Sequence, residues 1–312
     1  MDGLLITILI VIGFLVYKMI SSSRKQEGYK RWKATGSGDT ANEETAGNKW
    51  KHGAWLRHAL GVTTPKARTY PVFDEEAVVW CAGLLGVEAV RLKEILQDVS
   101  SHYREFWIRK RKGGYRMISA PDKELKSIQD TIYHRILLPV NVHPVATGFR
   151  RQHSIVDNVR PHLGKRCVLK TDIHDFFLSI RSPRVKQTFE NIGYPKNISK
   201  VLGELCCRRR HLPQGASTSP ALSNIIAYEM DRKLAAMAEE FGLTYTRYAD
   251  DLTFSGDVFP KEQVLVRVKE IIREEKFEPN HEKTRFLNEY DRKIITGISV
   301  SYTHLRAHET CA

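Results

Sequence analysis

The chain begins with an apolar run that has no counterpart further along. Residues Gly3–Ile20 are interrupted only by Thr7 and Lys18, so a helix here would keep no polar face. The length is close to the minimum for crossing a bilayer. A cleaved signal peptide and a buried helix are the alternatives, but the acidic start at Asp2 and the lack of an Ala-x-Ala site disfavour cleavage. The lysines and arginines after the run predict an uncleaved signal-anchor, residues 1–20, with the remainder of the chain cytoplasmic.

The pattern then changes from apolar to polar and afterwards to helical. Residues 21–69 are rich in Ser, Gly, Thr, Asn, Glu and Lys, which predicts a flexible tether. From Asp74 to Val99 the apolar positions recur with helical spacing and break near Gly86. This segment predicts a pair of helices ahead of the main domain.

Alternating and helical patterns follow each other through the rest of the chain. Tyr103–Ile118 predicts a hairpin with a basic Gly-Gly turn, and Leu243–Gly256 predicts a second hairpin. Cys167–Asp172 predicts a strand that ends on a carboxylate. The other predicted elements are helices over 123–138, from about 225 to 241 and over 260–275, and a late strand over 294–300. This mixture predicts an α+β fold.

Charge narrows the possible partners. The net charge is +13 and the pI about 9.5, which indicates a polyanionic partner, either nucleic acid or an acidic membrane face. Simple solvation is the alternative, but the basic residues cluster with glycines and aromatics in loops. These loops carry Lys110, Lys112, Arg150 and Arg151, a composition that suits phosphate contacts. The five cysteines include no Cys-x-x-Cys pair, which fits a reducing compartment and gives no sign of zinc.

A pair of adjacent carboxylates is the main candidate for chemistry. Asp250 and Asp251 lie at or near the tip of the predicted hairpin. Two neighbouring carboxylates repel each other, so both remain ionised in a confined site only beside a cation, for which Mg²⁺ is the usual choice. A solvated Asp-Asp turn is the alternative. Asp172, a charge at the end of an apolar strand, is a further candidate, whereas Asp175 reads better as a turn residue.

Two polar segments lie between these carboxylates and the basic loops. Ser154 predicts a helix N-cap, and Asn158 and His162 would then share a helix face, although a lone histidine there is more often structural. The loop Leu212–Asn224 is rich in small residues, which would let another molecule approach backbone amides.

In their order along the chain, six stretches resemble reverse transcriptases, and among them the bacterial retron type. The stretches are Lys112–Arg116, Gly148–Arg150, Lys170–Phe177, Leu212–Asn224, Tyr248–Asp251 and Lys283. The retron assignment depends on Asn158-Val-Arg-Pro-His162 and Ile295-Thr-Gly297, which resemble elements associated with recognition of a structured RNA.

The resemblance implies a role for each matching residue. It implies that Asp172, Asp250 and Asp251 bind two Mg²⁺ ions and that Lys283 donates a proton to pyrophosphate. Nucleotide-binding residues implied by the resemblance are Arg116, Phe177, Gln214 and Gly215. RNA-binding residues predicted from the resemblance and the basic loops are Lys110, Lys112, Arg150, Arg151, Asn158, His162 and Thr296.

The resemblance also implies an architecture and a function. It implies the fingers and palm of a right-hand polymerase over residues 70–300, with an antiparallel palm sheet packed on helices. Residues 301–312 match no family element, which predicts a non-native tail where a thumb should follow. The implied activity is copying of a structured non-coding RNA into DNA from deoxynucleoside triphosphates, with a branched RNA–DNA product. The resemblance also implies a role in antiphage defence with an unidentified effector protein. The predicted signal-anchor, which is not part of the family pattern, would place this activity at the bacterial inner membrane. The alternatives are a group II intron-like or diversity-generating enzyme, and a membrane-tethered RNA-binding protein without polymerase activity.

Overall fold

A four-stranded antiparallel sheet organises the part of the chain that the computed structural model describes, residues 72–110 and 113–300. The predicted signal-anchor (1–20), tether (21–69) and tail (301–312) lie outside these residues, as does Lys112. None of the helices within the described ranges has the length and apolar character that a bilayer span requires.

The described residues form both helices and strands. The helices are α1 (Glu75–Leu85), α2 (Ala89–Gln97), α3 (Lys123–Ile132), α4 (Ile155–Val159), α5 (Phe176–Ser179), α6 (Ser182–Ile192), α7 (Lys196–Leu205), α8 (Ser219–Ile226), α9 (Tyr228–Glu240) and α10 (Lys261–Glu274). The strands are β1 (Tyr103–Arg109), β2 (Tyr115–Pro121), β3 (Cys167–Asp172), β4 (Thr244–Tyr248), β5 (Asp251–Gly256), β6 (Arg285–Leu287), β7 (Ile294–Ile295) and β8 (Ile298–Ser299).

The central sheet has the strand order β4-β5-β3-β6 and confirms the predicted α+β fold with an antiparallel palm sheet. Strand β5 is buried from Leu252 to Gly256, because its side chains are covered on both faces of the sheet. Phe254 belongs to the same hydrophobic core as Leu234 of α9 and Val268 of α10. The strands are thereby fixed against helices, which gives the ends of β3 and β5 a rigid support.

A helical pair and a separate hairpin precede this sheet, as predicted. Asp74 caps α1 by accepting a hydrogen bond from the Glu76 amide, and the helix ends at Gly86, whose φ of 69° suits glycine. The second helix, α2, follows directly. Strands β1 and β2 pair in full register from Tyr103 opposite Pro121 to Arg109 opposite Tyr115.

Two predicted elements differ in the structure. The helix expected from about 225 begins earlier, at Ser219, because Pro220 lies in the first turn, where its missing N–H is tolerated. It is then divided at Ala227 into α8 and α9. The late strand is instead a tight hairpin of β7 and β8, since Thr296 (φ 45°) and Gly297 (φ 91°) reverse the chain.

Candidate active site

The tip of the β4–β5 hairpin carries the carboxylate pair, as predicted. Tyr248 pairs with Asp251, which leaves Ala249 and Asp250 as a two-residue loop. A loop this short requires at least one residue with positive φ, and Ala249 supplies it at 58°. The turn therefore places Asp250 and Asp251 side by side at the end of the sheet.

The third carboxylate reaches this turn through strand pairing. Asp172, the last residue of β3, lies directly opposite Asp251 of β5. The amide of Ile173 donates to the Asp250 carbonyl at 3.0 Å, which joins the end of β3 to the turn. The fold thus brings together the three aspartates that the sequence predicted, although Asp172 precedes Asp250 by 78 residues.

Lys283 is the cation at this cluster. Its Nζ donates to both carboxylate oxygens of Asp172, at 2.8 Å each. Asn280 supports the same strand end, because its backbone amide donates to the Asp172 carbonyl at 2.7 Å and its side chain to Asp172 Oδ1 at 3.3 Å. The Lys283 side chain is 58% exposed whereas that of Asp172 is 6% exposed, so the ammonium group covers the carboxylate from the solvent side.

Three carboxylates and one ammonium leave the cluster with surplus negative charge. Burial, followed by repulsion from Asp172 and Asp251, raises the pKa of Asp250 to about 6. Burial and the Asp172 carboxylate likewise raise the pKa of Asp251. Burial acts to lower the pKa of Lys283, but its hydrogen bond to Asp172 and the neighbouring carboxylates outweigh burial and raise it.

This donor set fits a divalent metal ion. Within the described ranges no group of three His, Cys, Asp or Glu side chains is already arranged as a metal site, and Lys283 lies on Asp172 instead. The candidate ligands are nevertheless hard carboxylate oxygens, and burial together with their mutual repulsion raises the pKa of two of them. A cation of higher charge would relieve that repulsion, so the site suits Mg²⁺.

Comparison with known proteins agrees with this geometry. The reverse transcriptase (RNA-dependent DNA polymerase) family matches residues 108–302, which include all three aspartates and Lys283. The chain belongs to the reverse transcriptases, and its curated relatives place it among those of the retron type. These findings confirm the resemblance that the six sequence stretches indicated.

Three retron reverse transcriptases illustrate the relationship. Retron Mx65 reverse transcriptase from Myxococcus xanthus is 38% identical over 65% of this chain and 52% of its own length. Retron Ec86 reverse transcriptase from Escherichia coli is 34% identical over 70% of this chain and 68% of its own. Retron Mx162 reverse transcriptase from Myxococcus xanthus is 31% identical over 89% of this chain and 63% of its own. The chain thus spans about half to two thirds of the length of these relatives.

The predicted nucleotide-binding residues of this reverse transcriptase lie on two surfaces. Phe177, just after β3, has its ring 6.0 Å from that of Phe149, so two aromatic rings lie side by side. Gln214 and Gly215 contact β2 instead. The Gln214 carbonyl accepts from the Ser119 amide at 2.7 Å, and a Cβ on Gly215 would come within 2.8 Å of the Ser119 carbonyl oxygen. Arg116 is exposed on β2.

The predicted RNA-binding residues divide into exposed and buried groups. Lys110 and Arg151 are exposed, and Arg150 is half-buried with its guanidinium donating to the Ala146 carbonyl at 3.3 Å. These positions are compatible with contact to phosphates. Their role in binding RNA stays a prediction.

Asn158 and His162 form the buried group. They are 1% and 0% exposed, respectively. His162 bonds to Ser255 Oγ at 2.7 Å and to Thr246 Oγ1 at 2.8 Å, and Asn158 Oδ1 accepts from Thr246 at 2.8 Å. Both side chains are enclosed and satisfied by protein groups, so they would support an RNA-binding surface from beneath it, and their role in RNA binding stays a prediction. Thr296, which is half-buried, accepts from Asn158 Nδ2 at 3.5 Å and so links the late hairpin to the same buried cluster.

Sequence reasoning missed one set of residues beside the carboxylates. Arg247 and Asp231 form an ion pair whose two side chains are both 0% exposed. Each leaves a signal in the sequence: Arg247 is a charge inside a strand of aromatic and β-branched residues, and Asp231 lies three residues before Leu234 on the apolar face of α9. A charge on a buried face indicates a partner elsewhere in the core.

Proposed function

We propose that this chain is an RNA-directed DNA polymerase of the retron type, which copies a structured non-coding RNA into DNA from deoxynucleoside triphosphates. The observation that carries the proposal is the convergence of Asp172, Asp250 and Asp251 at one end of the palm sheet, with their surplus negative charge. Family membership supports the same chemistry, although the chain spans only part of its relatives' length.

The three aspartates are the residues that would hold two Mg²⁺ ions. When bound, these ions neutralise charge on the attacking hydroxyl and on the leaving pyrophosphate. The protein contributes the position of the carboxylates, which the β3–β5 pairing and the two-residue turn fix before substrate arrives.

The residues around the carboxylates suit the remaining tasks of nucleotide transfer. Lys283 is kept protonated by Asp172, so it can donate a proton to the departing pyrophosphate. The adjacent rings of Phe177 and Phe149 form an apolar surface at which a ribose 2′-hydroxyl would be disfavoured. Gln214 and Gly215, which pack on β2, would contact the nucleotide, and the exposed Arg116 would bind its triphosphate.

Primer extension with the whole chain tests the proposal. Asp250→Asn and Asp251→Asn should each abolish DNA synthesis, a loss of about a thousandfold or more, while binding of RNA persists. Asp257→Asn is the matched control, because Asp257 lies just beyond the other end of β5 and pairs at the surface with Lys165. Undiminished synthesis by either of the first two variants would refute the proposal. Wild-type protein that binds RNA but never extends a primer would favour the RNA-binding alternative.

The identity of the RNA and of the product is a finer part of the proposal. We propose that the template and primer belong to one structured RNA and that the product is a branched RNA–DNA molecule used in antiphage defence, with an effector protein as partner. Sequencing of the RNA and DNA that copurify with the chain tests this. An unbranched product, or an RNA of the group II intron or diversity-generating kind, would contradict the retron part and leave the polymerase part intact.

Attachment to the membrane is proposed from the sequence. The apolar run Gly3–Ile20 and the basic residues that follow it support a single-pass anchor in the bacterial inner membrane with the polymerase in the cytoplasm. Fractionation of cells that express the chain with and without residues 1–20 tests it, and equal recovery of both forms in the soluble fraction would contradict it.

A further inference from the structure

The turn that presents the carboxylates is unfavourable by itself. Ala249 has φ of 58°, a left-handed conformation that glycine adopts readily and that a residue with a Cβ adopts at a cost. The two residues after it carry carboxylates that repel each other and Asp172. A two-residue loop has no interior contacts of its own, so its shape depends on groups packed behind it.

Arg247, two residues before the turn's left-handed residue, supplies those contacts. Its Nη1 donates to the Ala249 carbonyl at 2.9 Å and to Asn224 Oδ1 at 3.1 Å. Its Nε and Nη2 donate to the two carboxylate oxygens of Asp231, at 2.8 and 2.6 Å. The guanidinium group therefore connects the turn directly to helices α8 and α9.

The anchor of this arginine is rigid. Asp231 is 0% exposed on α9 and also accepts from the Tyr245 hydroxyl at 3.0 Å. The Arg247 guanidinium lies 5.8 Å from the centre of the Phe176 ring, which follows Asp172 in the chain. A guanidinium group with hydrogen bonds to Asp231, Asn224 and Ala249 and an aromatic ring nearby has little freedom to move.

The loop over residues 145–148 also packs against the turn. Thr147 donates through its amide to the Arg247 carbonyl at 2.8 Å, and the Arg247 amide donates to the Val145 carbonyl at 2.8 Å. The Gly148 carbonyl accepts from Asn224 Nδ2 at 2.9 Å. A Cβ on Gly148 would come within 2.7 Å of the Ala249 amide nitrogen, so this backbone packs directly on the turn.

We propose that Arg247 is a positioning residue, which holds the Ala249 carbonyl against the Asp231 anchor and so aims Asp250 and Asp251 at Asp172. Lysine cannot replace it, because one ammonium group cannot present the planar fork that reaches Asp231, Asn224 and Ala249 together. The effect on catalysis rests on the proposed function, whereas the effect on the turn does not.

Local hydrogen exchange and single-turnover kinetics on the whole chain test this role. In Arg247→Lys, amide exchange over residues 248–251 should rise about tenfold while the rest of the sheet keeps its protection. The rate of nucleotide incorporation should fall about 100-fold at saturating nucleotide, with affinity for the nucleotide little changed. Asn224→Ala, which removes one contact to Arg247 and one to Gly148, should give the same pattern at smaller amplitude.

Two controls separate positioning from general loss of stability. Arg91→Lys breaks another two-pronged arginine–carboxylate pair, with Glu124, at the surface far along the chain, and should change neither readout at the turn. Val201→Ala removes core volume from α7 and should lower the unfolding midpoint without selective exchange at residues 248–251.

Three results would overturn the proposal. The first is an Arg247→Lys protein that keeps wild-type exchange at the turn, and the second is one that incorporates nucleotide at the wild-type rate. The third is unfolding of both Arg247→Lys and Asn224→Ala, which would make the contacts purely structural. If the wild-type chain polymerises nothing, the proposed function fails by itself, and the exchange measurement still decides whether Arg247 holds the turn.

Discussion

Two charged clusters lie on opposite sides of the turn at Ala249 and Asp250. One has an excess of negative charge, and the other is a balanced pair of opposite charges. In front of the turn, three carboxylates crowd around one exposed lysine, and burial and repulsion raise the pKa of two of the three. Behind it, Arg247 and Asp231 are 0% exposed and bonded to each other at two points. The rear cluster balances its charges within the protein, and the front cluster keeps surplus negative charge.

The difference separates a cluster that fixes geometry from a cluster suited to binding a cation. A buried charge pair with satisfied hydrogen bonds fixes geometry and needs nothing further. A buried group of like charges stores repulsion that a bound cation releases. Both clusters act on the same loop, since Ala249 and Asp250 offer their carbonyls to Arg247 and Ile173, respectively.

Removing charge from the rear cluster should be severely destabilising. Asp231→Asn leaves the Arg247 guanidinium buried without a counter-charge, so we expect the free energy of unfolding to fall by about 3 to 5 kcal/mol. Denaturant unfolding monitored by circular dichroism measures this loss. Glu124→Gln is the control, because its exposed pair with Arg91 should be worth less than about 1 kcal/mol. Equal losses in the two variants would mean that burial does not distinguish these pairs.

The buried polar cluster behind β4 and β5 should make stability depend on pH. Burial, followed by the charge of Lys165, lowers the pKa of His162 to about 4, so the unfolded chain binds this proton more tightly. The stabilisation is complete above the unfolded pKa of about 6.5 and is lost as the pH falls towards 4, by up to about 3 kcal/mol. Unfolding curves at intervals between pH 7.5 and 4 measure it. The slope should flatten in His162→Gln, and an unchanged slope would assign the effect to other groups.

The packing against the turn should tolerate an added methyl group less well than the packing elsewhere in the fold. Gly148→Ala places a Cβ 2.7 Å from the Ala249 amide nitrogen, a backbone atom that cannot move aside. We expect a loss of about 1 to 3 kcal/mol in unfolding free energy. Gly83→Ala in α1 is the control, because a Cβ there would meet nothing within 4 Å. A loss at Gly148 no larger than the effect at Gly83 would show that the turn accommodates the added methyl group.

Removing a negative charge from the front cluster should raise the free energy of unfolding, whereas removing the charge of Asp231 should lower it. The pKa of Asp250 is raised to about 6, so its ionised form opposes folding, and stability falls as the pH rises through 6. Asp250→Asn in buffer with EDTA at pH 8 should therefore raise the free energy of unfolding by about 1 kcal/mol. Thermal unfolding at pH 8 and pH 5 checks the sign, since the gain should shrink at the lower pH. A loss at pH 8 would mean that the carboxylates do not repel.

The sequence indicated the front of the site better than its rear. The Asp250–Asp251 pair and Asp172 stand out because a charge at the end of an apolar strand can be recognised from the sequence alone. The spacing of Asn158 and His162 showed that they share one side of a short helical segment, but spacing does not say whether that side faces solvent or core. Their enclosure by Thr246 and Ser255 depends on strands that come more than 80 residues later.

The missed and misplaced elements have similar causes. The pair of Arg247 and Asp231 forms between a strand and a helix, and no local pattern predicts which buried charges meet. The division at Ala227 and the hairpin at Thr296 depend on single backbone conformations, with φ of 45° at a threonine in the second case. A threonine with positive φ is held in that conformation by tertiary contacts, which periodicity does not reveal. The alternating pattern therefore predicted one continuous strand.

The strand order of the palm sheet also fixes when the site can exist during synthesis. Strand β3, which carries Asp172, pairs only with β5 and β6 among the described strands, and both are made long after it. A nascent chain must therefore carry β3 without a sheet partner until the ribosome has passed residue 256, and long-range pairings of this kind form slowly. The three carboxylates can meet only after β5 has been made, so a shorter nascent chain presents no assembled cluster to metal ions.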